Sequence, residues 1–276
     1  MTLMARNNCF KGGIILAALS LCLAATAGYI VFSAFPGASE SADVRPGGIL
    51  KIAENLAPPS AYVPYWTIIA ATAYSLISII LIYHFFEKTK SPEILFIGIF
   101  VISLAFEITR LAVPLGTAFH LSAMYNTAAT RVLLFGRYMG LLSLFAASVY
   151  ASGLDAQKQQ NFLLMLVMAA LIVAVNIPVD SLIWDSTFSL WSGYGLMFEM
   201  AEMGILIITV LTFMVTAYSR SSLRYIFIGI GAFLILTGRD ILLSSDTWIT
   251  PVPGLAILAA GTWLVCSRLH QEYLWL

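Results

Sequence analysis

Charged residues are scarce in this 276-residue sequence, at 10% of the chain against roughly 25% in an average soluble domain. Basic and acidic residues number 14 each, so the formal net charge is zero, and no basic cluster favours a nucleic-acid partner. Hydrophobic residues make up 60%, and the mean hydropathy is +0.91. These values predict an integral membrane protein with seven or eight spans of about 20 residues each, and leave no room for a soluble catalytic domain.

Cysteine and histidine are also rare. The three cysteines have no paired spacing, which excludes a disulfide framework and a cysteine metal site. The three histidines are expected at separate places, so they cannot gather around a metal or haem. These residues are Cys9, Cys22 and Cys266, and His84, His120 and His270. Nucleophile-elbow, zincin and P-loop patterns are absent as well, so we expect no enzyme, no catalytic residue, no metal and no cofactor.

Long apolar runs predict an all-α integral membrane protein of eight spans, in which an N-terminal anchor helix precedes a seven-helix transmembrane bundle. Residues 1–36 contain the cytoplasmic start and the first helix, 37–62 an extracytoplasmic loop, and 63–276 the bundle. A basic start and the small residues at 24–27 would also suit a signal peptide, but the apolar run continues about eight residues further, which favours a retained helix. The predicted spans are Ile14–Phe35, Val63–Phe86, Ile94–Val113, Ala128–Ala151, Phe162–Ile177, Tyr194–Tyr218, Leu223–Leu243 and Val252–Arg268.

The basic residues outside the spans predict the orientation, because cytoplasmic loops collect Lys and Arg. With the N-terminus inside, eight basic residues lie in cytoplasmic segments and two in external loops. The first group is Arg6, Lys11, Lys88, Lys90, Lys158, Arg220, Arg224 and Arg268, and the second is Arg45 and Lys51. Both termini are therefore expected in the cytoplasm, as in a multi-pass protein of a bacterial inner (plasma) membrane.

Four of the predicted spans contain charged residues, four arginines and four carboxylates in all. An ionised side chain near the middle of a bilayer costs about 2.5–3.5 kcal/mol on insertion scales, so such groups pair or face a wet cavity. All eight are predicted in the outer half of the membrane. They are Glu107 and Arg110, Arg131 and Arg137, Glu199 and Glu202, and Arg239 and Asp240.

This charge cluster has two interpretations. The groups could satisfy one another in a buried network that fixes the order and register of the helices. Alternatively, some line a cavity open to the outside and bind a small polar or anionic molecule, with Arg137 as the deepest cation and a clamp for carboxylate or phosphate. Glu199 and Glu202 share a face, so one would keep its proton unless an arginine lies between them.

A short repeat suggests a further alternative. Phe96-Ile-Gly-Ile99 recurs as Phe227-Ile-Gly-Ile230 at the start of two spans that run in the same direction. In layout only, this resembles the three-plus-one-plus-three arrangement of the SWEET sugar transporters, which implies two parallel repeats. The prolines near spans are expected at span ends, however, so the mid-helix breaks of many transporters are not predicted.

The sequence therefore favours a sensor or receptor-like module with an outward-facing charged chamber, because no output domain is predicted in the chain. Its expected partners are the lipid bilayer and a membrane or cytoplasmic protein, with no nucleic acid. The alternatives are a structural subunit of a membrane complex and a small-solute transporter. Neither the ligand nor the partner protein can be named from these residues.

Overall fold

The computed structural model describes residues 2–34, 60, 62–89, 91–154 and 159–273. It is 83% helical and contains eight helices long and apolar enough to cross a membrane, so the predicted all-α membrane fold is confirmed. Most of the predicted loop 37–62 lies outside the described residues. The elements are α1 (Leu3–Ala34), α2 (Tyr62–Phe86), α3 (Pro92–Ser103), a 3₁₀ helix (Leu104–Leu111), α4 (Ala112–Ala118), α5 (Ala123–Ala151), α6 (Gln159–Asn176), β1 (Val179–Trp184), β2 (Leu190–Ser192), α7 (Gly195–Ser219), α8 (Arg224–Leu243) and α9 (Pro251–Tyr273).

The third span is the central helix of the bundle. It runs from Pro92 to Ala118, and 78% of its most apolar stretch is buried, the largest share of any of the eight. Ser91 begins it by accepting a hydrogen bond from the N–H of Ile94 at 3.4 Å, and Pro92 follows in the first turn, where a missing N–H costs nothing. The span continues five residues beyond Val113, the end predicted from hydropathy.

This central helix is not α-helical throughout, because Leu104–Leu111 form a 3₁₀ helix. Pro114 contributes to the change at its C-terminal end, since it lacks the N–H that an α-helix would direct at the carbonyl four residues earlier, that of Arg110. Pro114 lies inside the span, so the expectation of unbroken helices with prolines only at their ends is wrong. Side chains three apart eclipse in a 3₁₀ helix, which places Glu107 and Arg110 directly above one another.

The start of α1 and the end of α9 lie at the same end of the bundle, here called the terminal end. Arg6 donates through Nη2 to the carbonyls of Phe86, at 2.6 Å, and Glu87, at 3.1 Å. The Tyr273 hydroxyl donates to Oε2 of Glu93 at 2.7 Å. An even number of spans requires this arrangement. That the terminal end faces the cytoplasm stays a prediction.

A small antiparallel β-hairpin lies at the opposite, or hairpin, end. Val179 pairs with Ser192 and Trp184 with Leu190, in the segment between the predicted fifth and sixth spans. Trp191 is 49% exposed, whereas Trp184 and Phe188 are buried. The hairpin tip therefore packs into the bundle, in an apolar cluster whose other buried members are Ala24, Ile68, Leu111, Val113 and Leu190.

Glycines allow α8 and α9 to pack backbone against backbone. A Cβ added at Gly238 would lie 2.4 Å from the backbone nitrogen of Leu258, and one added at Gly261 would lie 2.8 Å from that of Ile235. Small residues allow such close contact between membrane helices, where van der Waals packing replaces the hydrophobic effect. The two glycines therefore allow the last two spans to pack closely together.

Candidate functional site

The centre of the site is an ion-pair triad inside the bundle, formed by Glu107, Arg110 and Arg137. Arg137 donates to Glu107 from Nε to Oε1 at 3.0 Å and from Nη2 to Oε2 at 3.1 Å. The Arg110 Nη1 atom lies 3.6 Å from Oε2 of the same carboxylate. Glu107 and Arg110 are 2% and 1% exposed. Two predicted spans therefore contribute to one triad, in which Glu107 and Arg110 are buried and the Arg137 side chain is 23% exposed. Glu107 interacts with both cations.

Two glycines bring Arg137 within reach of Glu107. A Cβ at Gly136 would lie 2.5 Å from Cβ of Phe106, and a Cβ at Gly140 would lie 2.4 Å from Oγ of Ser103. The helices can approach this closely only because both side chains are absent. Gly136 and Gly140 form a G-x-x-x-G pattern, which indicates a helix contact in an apolar segment. Sequence reasoning overlooked this signal, which could have located the contact between the third and fourth spans.

Arg110 connects the triad to the hairpin. Its Nε donates to the carbonyl of Thr187 at 2.7 Å, and its Nη2 donates to the same oxygen. Asp185 holds the tip in shape, because its Oδ1 accepts hydrogen bonds from N and Oγ1 of Thr187, at 3.0 and 2.8 Å, and from N of Ser189, at 2.9 Å. Asp185 also lies within electrostatic range of Arg110 and Arg137. It was not among the predicted site residues.

Charges from α7 and α8 surround the triad at a greater distance. Glu202 is half-buried and lies close enough to Arg137 and the Tyr138 hydroxyl to interact with both. Arg239 is 3% exposed, and its Nη1 lies 3.9 Å from Oδ1 of Asp240. Among the described residues this Nη1 has no hydrogen-bond acceptor. Arg239 and Asp240 lie within electrostatic range of Glu107, so six of the eight predicted charges share one region.

Arg131 and Glu199 do not belong to this region, which corrects the prediction of eight residues around one chamber. Both are exposed at the bundle surface, and neither forms an ion pair within the described ranges. Helix geometry explains this, because successive residues are about 100° apart. Arg131 is six positions before Arg137, on a face about 120° away, and Glu199 is about 60° from Glu202.

Asp246 is a buried acid near the hairpin that sequence reasoning missed. It is 4% exposed, its Oδ2 lies 3.5 Å from the Ser186 hydroxyl, and its Oδ1 has no partner in the described part of the chain. It lies after α8 in a stretch of serine and threonine, which resembles an ordinary polar turn. Only the inserted hairpin tip makes this loop part of the site.

Another buried carboxylate lies at the terminal end of the third span. Glu93 is 2% exposed, although it comes just before the predicted third span, in a short turn rich in charged residues. Its Oε2 accepts hydrogen bonds from the hydroxyls of Ser91 and Tyr273, both at 2.7 Å. Nearby, Arg224 forms an ion pair with Glu272 at 2.9 Å. The last helix is therefore joined to the start of the third span and to α8.

Among the described residues, no group of three or more His, Cys, Asp or Glu side chains could hold a metal ion. The chemistry that the described residues offer at the hairpin end is that of guanidinium donors, carboxylate acceptors and the hydroxyls of Ser186, Thr187 and Ser189. No protein-family model and no curated protein matches the chain. A function must therefore be argued from the geometry of these residues.

Proposed function

We propose that this protein is a receptor-like membrane module that binds a small solute at the charged region of the hairpin end and transmits the change to a partner protein. In the proposed setting, the hairpin end faces outward from a plasma membrane and both termini lie in the cytoplasm. The observation that carries the proposal is that one helix makes buried polar contacts at both ends. Arg110 binds the hairpin at one end, and Glu93 binds Tyr273 at the other.

The two contacts suit transmission because each is buried and directional. A buried carboxylate or guanidinium that loses its partner pays a desolvation penalty, so such contacts are made or broken rather than gradually weakened. Glu93 and Arg110 are roughly 29 Å apart along the helix axis, by the rise per residue of α and 3₁₀ segments. Most of the 3₁₀ helix separates them, with Arg110 near its far end, and such stretches within a longer helix often mark a hinge.

Two guanidinium nitrogens without hydrogen-bond acceptors favour a binding site over a purely structural network. A closed network would use its buried N–H groups, since an unpaired one costs about 1–3 kcal/mol. Arg110 and Arg239 each have an Nη1 without a hydrogen-bond acceptor among the described residues. The bidentate pair of Glu107 and Arg137 supports the structural-subunit alternative equally well, so the distinction depends on these two guanidinium groups.

A double-mutant cycle tests the proposed coupling between the two ends. The free energy of unfolding would be measured for Arg110→Met, Glu93→Gln and the double variant, in detergent. Sites so far apart normally give additive effects within about 0.3–0.5 kcal/mol. We expect an interaction energy above that range, because both residues act on one helix. The control cycle combines Glu93→Gln with Arg131→Met, which removes an exposed arginine outside the site, and should be additive.

Additivity in both cycles would contradict transmission through the third span and leave the structural alternative. Constant stoichiometry with another membrane subunit would then identify a scaffold. The transporter alternative is tested separately, by substrate-dependent flux in proteoliposomes. Its case gains from the break in the third span, whereas α8, the helix that carries the second copy of the Phe-Ile-Gly-Ile motif, is continuous from Arg224 to Leu243.

A further inference from the structure

We propose that the hairpin tip, residues 185–189, covers a binding site for a small zwitterion, whose oxyanion binds Arg110 and whose ammonium group binds Asp246. In the structure described above, the tip itself contacts both Arg110 and Asp246. This inference rests on the proposed receptor function and names the class of its ligand. It also makes the hairpin an internal competitor that the ligand must displace.

The first observation is how Arg110 is used. The Nε and Nη2 edge of a guanidinium fits the two oxygens of a carboxylate or phosphate. Here both atoms donate to one backbone carbonyl, that of Thr187. The remaining nitrogen, Nη1, is 3.6 Å from Glu107 and has no hydrogen bond within the described residues. An oxyanion adds the attraction between opposite charges and can accept two parallel hydrogen bonds from this edge, one on each oxygen, so it can replace the tip.

The second observation is the unsatisfied acid on the other side of the tip. Asp246 is 4% exposed, and its Oδ1 has no hydrogen-bond partner in the described part of the protein. Its other oxygen is 3.5 Å from the Ser186 hydroxyl, at the limit of a hydrogen bond. A buried carboxylate with one weak donor is poorly compensated. An ammonium group offers three donors and a positive charge.

The two groups contact adjacent residues of the tip. Asp246 lies 3.5 Å from the Ser186 hydroxyl, and Arg110 donates to the carbonyl of the next residue, Thr187. A small molecule that replaces this pair of residues therefore needs its two charges on one short skeleton. An α-amino acid presents its ammonium and carboxylate groups across a single carbon. Phosphoethanolamine, free or as a lipid headgroup, carries the same two charges across a slightly longer chain.

The tip has features of a removable plug. Phe188 is buried, yet its backbone φ is 61°, a left-handed conformation that is costly for a bulky side chain. Asp185 supports the tip from within the hairpin. The polar contacts to the bundle described above are those of Ser186 and Thr187. The tip can therefore move as a preformed unit, and its departure vacates volume for the ligand while also uncovering Phe188.

The experiment uses the purified full chain in a maltoside detergent, which has no charged headgroup. Thermal stability would be measured with each of the twenty common amino acids and with phosphoethanolamine. Two analogues of alanine separate its charges: propionate lacks the ammonium group, and alaninamide lacks the carboxylate. In parallel, Cys9, Cys22 and Cys266 would be replaced by serine, and Ser189→Cys would report the tip through its rate of labelling with a maleimide.

We expect at least one zwitterion to raise Tm by about 2 °C or more at saturation, because it binds the folded state alone. The same compound should speed labelling at position 189, since it displaces the tip. Propionate and alaninamide should do neither. A response to amino acids alone indicates a free solute, and a response to phosphoethanolamine alone indicates a lipid headgroup. Arg110→Lys and Asp246→Asn should abolish the shift, whereas Arg131→Met and Glu199→Gln should retain it.

The proposal is overturned if no zwitterion raises Tm, if propionate acts as well as alanine, or if binding leaves labelling unchanged. Should Arg110→Lys fail to fold, Asp246→Asn still tests the site from its other side. Failure here is distinguishable from failure of the receptor proposal, because the double-mutant cycle between Arg110 and Glu93 needs no ligand. Coupling without zwitterion binding would leave a receptor for a different solute.

Discussion

Arg137 binds Glu107 through two parallel hydrogen bonds of 3.0 and 3.1 Å, across two neighbouring spans. Breaking such a pair leaves a charge without its partner, which costs about 3–5 kcal/mol when the site is buried. Glu107→Gln and Arg137→Met should each lower the free energy of unfolding by an amount of this order. The double variant should recover part of the loss, because the charge of Arg137 is then absent rather than unpaired, although Arg110 still lacks its carboxylate.

The measurement is thermal or denaturant unfolding in detergent, with Arg131→Met as the matched arginine control. That residue is exposed, so its loss should stay within about 0.5 kcal/mol. If the two single variants unfold like this control, the pair is individually hydrated and contributes nothing to the fold.

Gly136 should be the residue that sets the spacing of this pair. Gly136→Ala places a Cβ 2.5 Å from Cβ of Phe106, and overpacking of this kind costs about 1–3 kcal/mol. Gly204→Ala is the control, because a Cβ there meets nothing within 4 Å, and alanine favours a helix by about 1 kcal/mol over glycine. In unfolding measurements, the Gly136→Ala variant should be clearly less stable than the Gly204→Ala variant. Equal stability would mean that the two helices are not in close contact.

Asp185 should determine the shape of the hairpin tip. Its Oδ1 accepts three hydrogen bonds, from N and Oγ1 of Thr187 and from N of Ser189. Asp185→Ala removes the acceptor and should cost about 1–3 kcal/mol, with faster maleimide labelling of a cysteine at position 189. Asp185→Asn keeps one oxygen acceptor, so its stability and its labelling rate should lie between those of Asp185→Ala and those of the unmodified protein. If Asn behaves like Ala, the charge of Asp185 matters more than its hydrogen bonds.

Orientation can be tested at two exposed serines from opposite ends of the bundle. Ser122 precedes α5 at the hairpin end, and Ser221 lies between α7 and α8 at the terminal end. In a cysteine-free background, Ser122→Cys should label in intact cells with an impermeant reagent, and Ser221→Cys only after permeabilisation. The expectation follows from the excess of basic residues in the segments assigned to the cytoplasm. The opposite pattern would invert the protein and place the charged region inside.

Hydropathy alone predicted the eight spans, because in a bilayer only helices of this length satisfy the backbone. The pairing of Glu107 with opposite charge was also predictable from the cost of an isolated ion. The identity of its bidentate partner was not predictable, because distance along the sequence favours Arg110, three residues away, over Arg137, thirty residues away. The choice depends on how closely two helices approach, which the side chain missing at Gly136 controls.

The remaining parts of the site depend on tertiary contacts that no local sequence pattern predicts. Asp246 lies in a polar turn and becomes a site residue only because the hairpin tip packs beside it. Glu93 resembles an exposed acid in a charged loop, yet Tyr273 covers it. Conversely, Arg131 and Glu199 resembled their neighbours in composition, and helix rotation alone separates them from the triad.

The length of the third span depends on whether Leu104–Leu111 form a 3₁₀ helix or an α-helix. A 3₁₀ helix rises about 2.0 Å per residue and an α-helix about 1.5 Å, so converting the eight residues Leu104–Leu111 to α would shorten the span by about 4 Å. The same conversion would turn one end against the other by roughly 160°, since each residue advances about 100° instead of 120°. A conversion of this segment would be large enough to withdraw Arg110 from the hairpin or Glu93 from Tyr273.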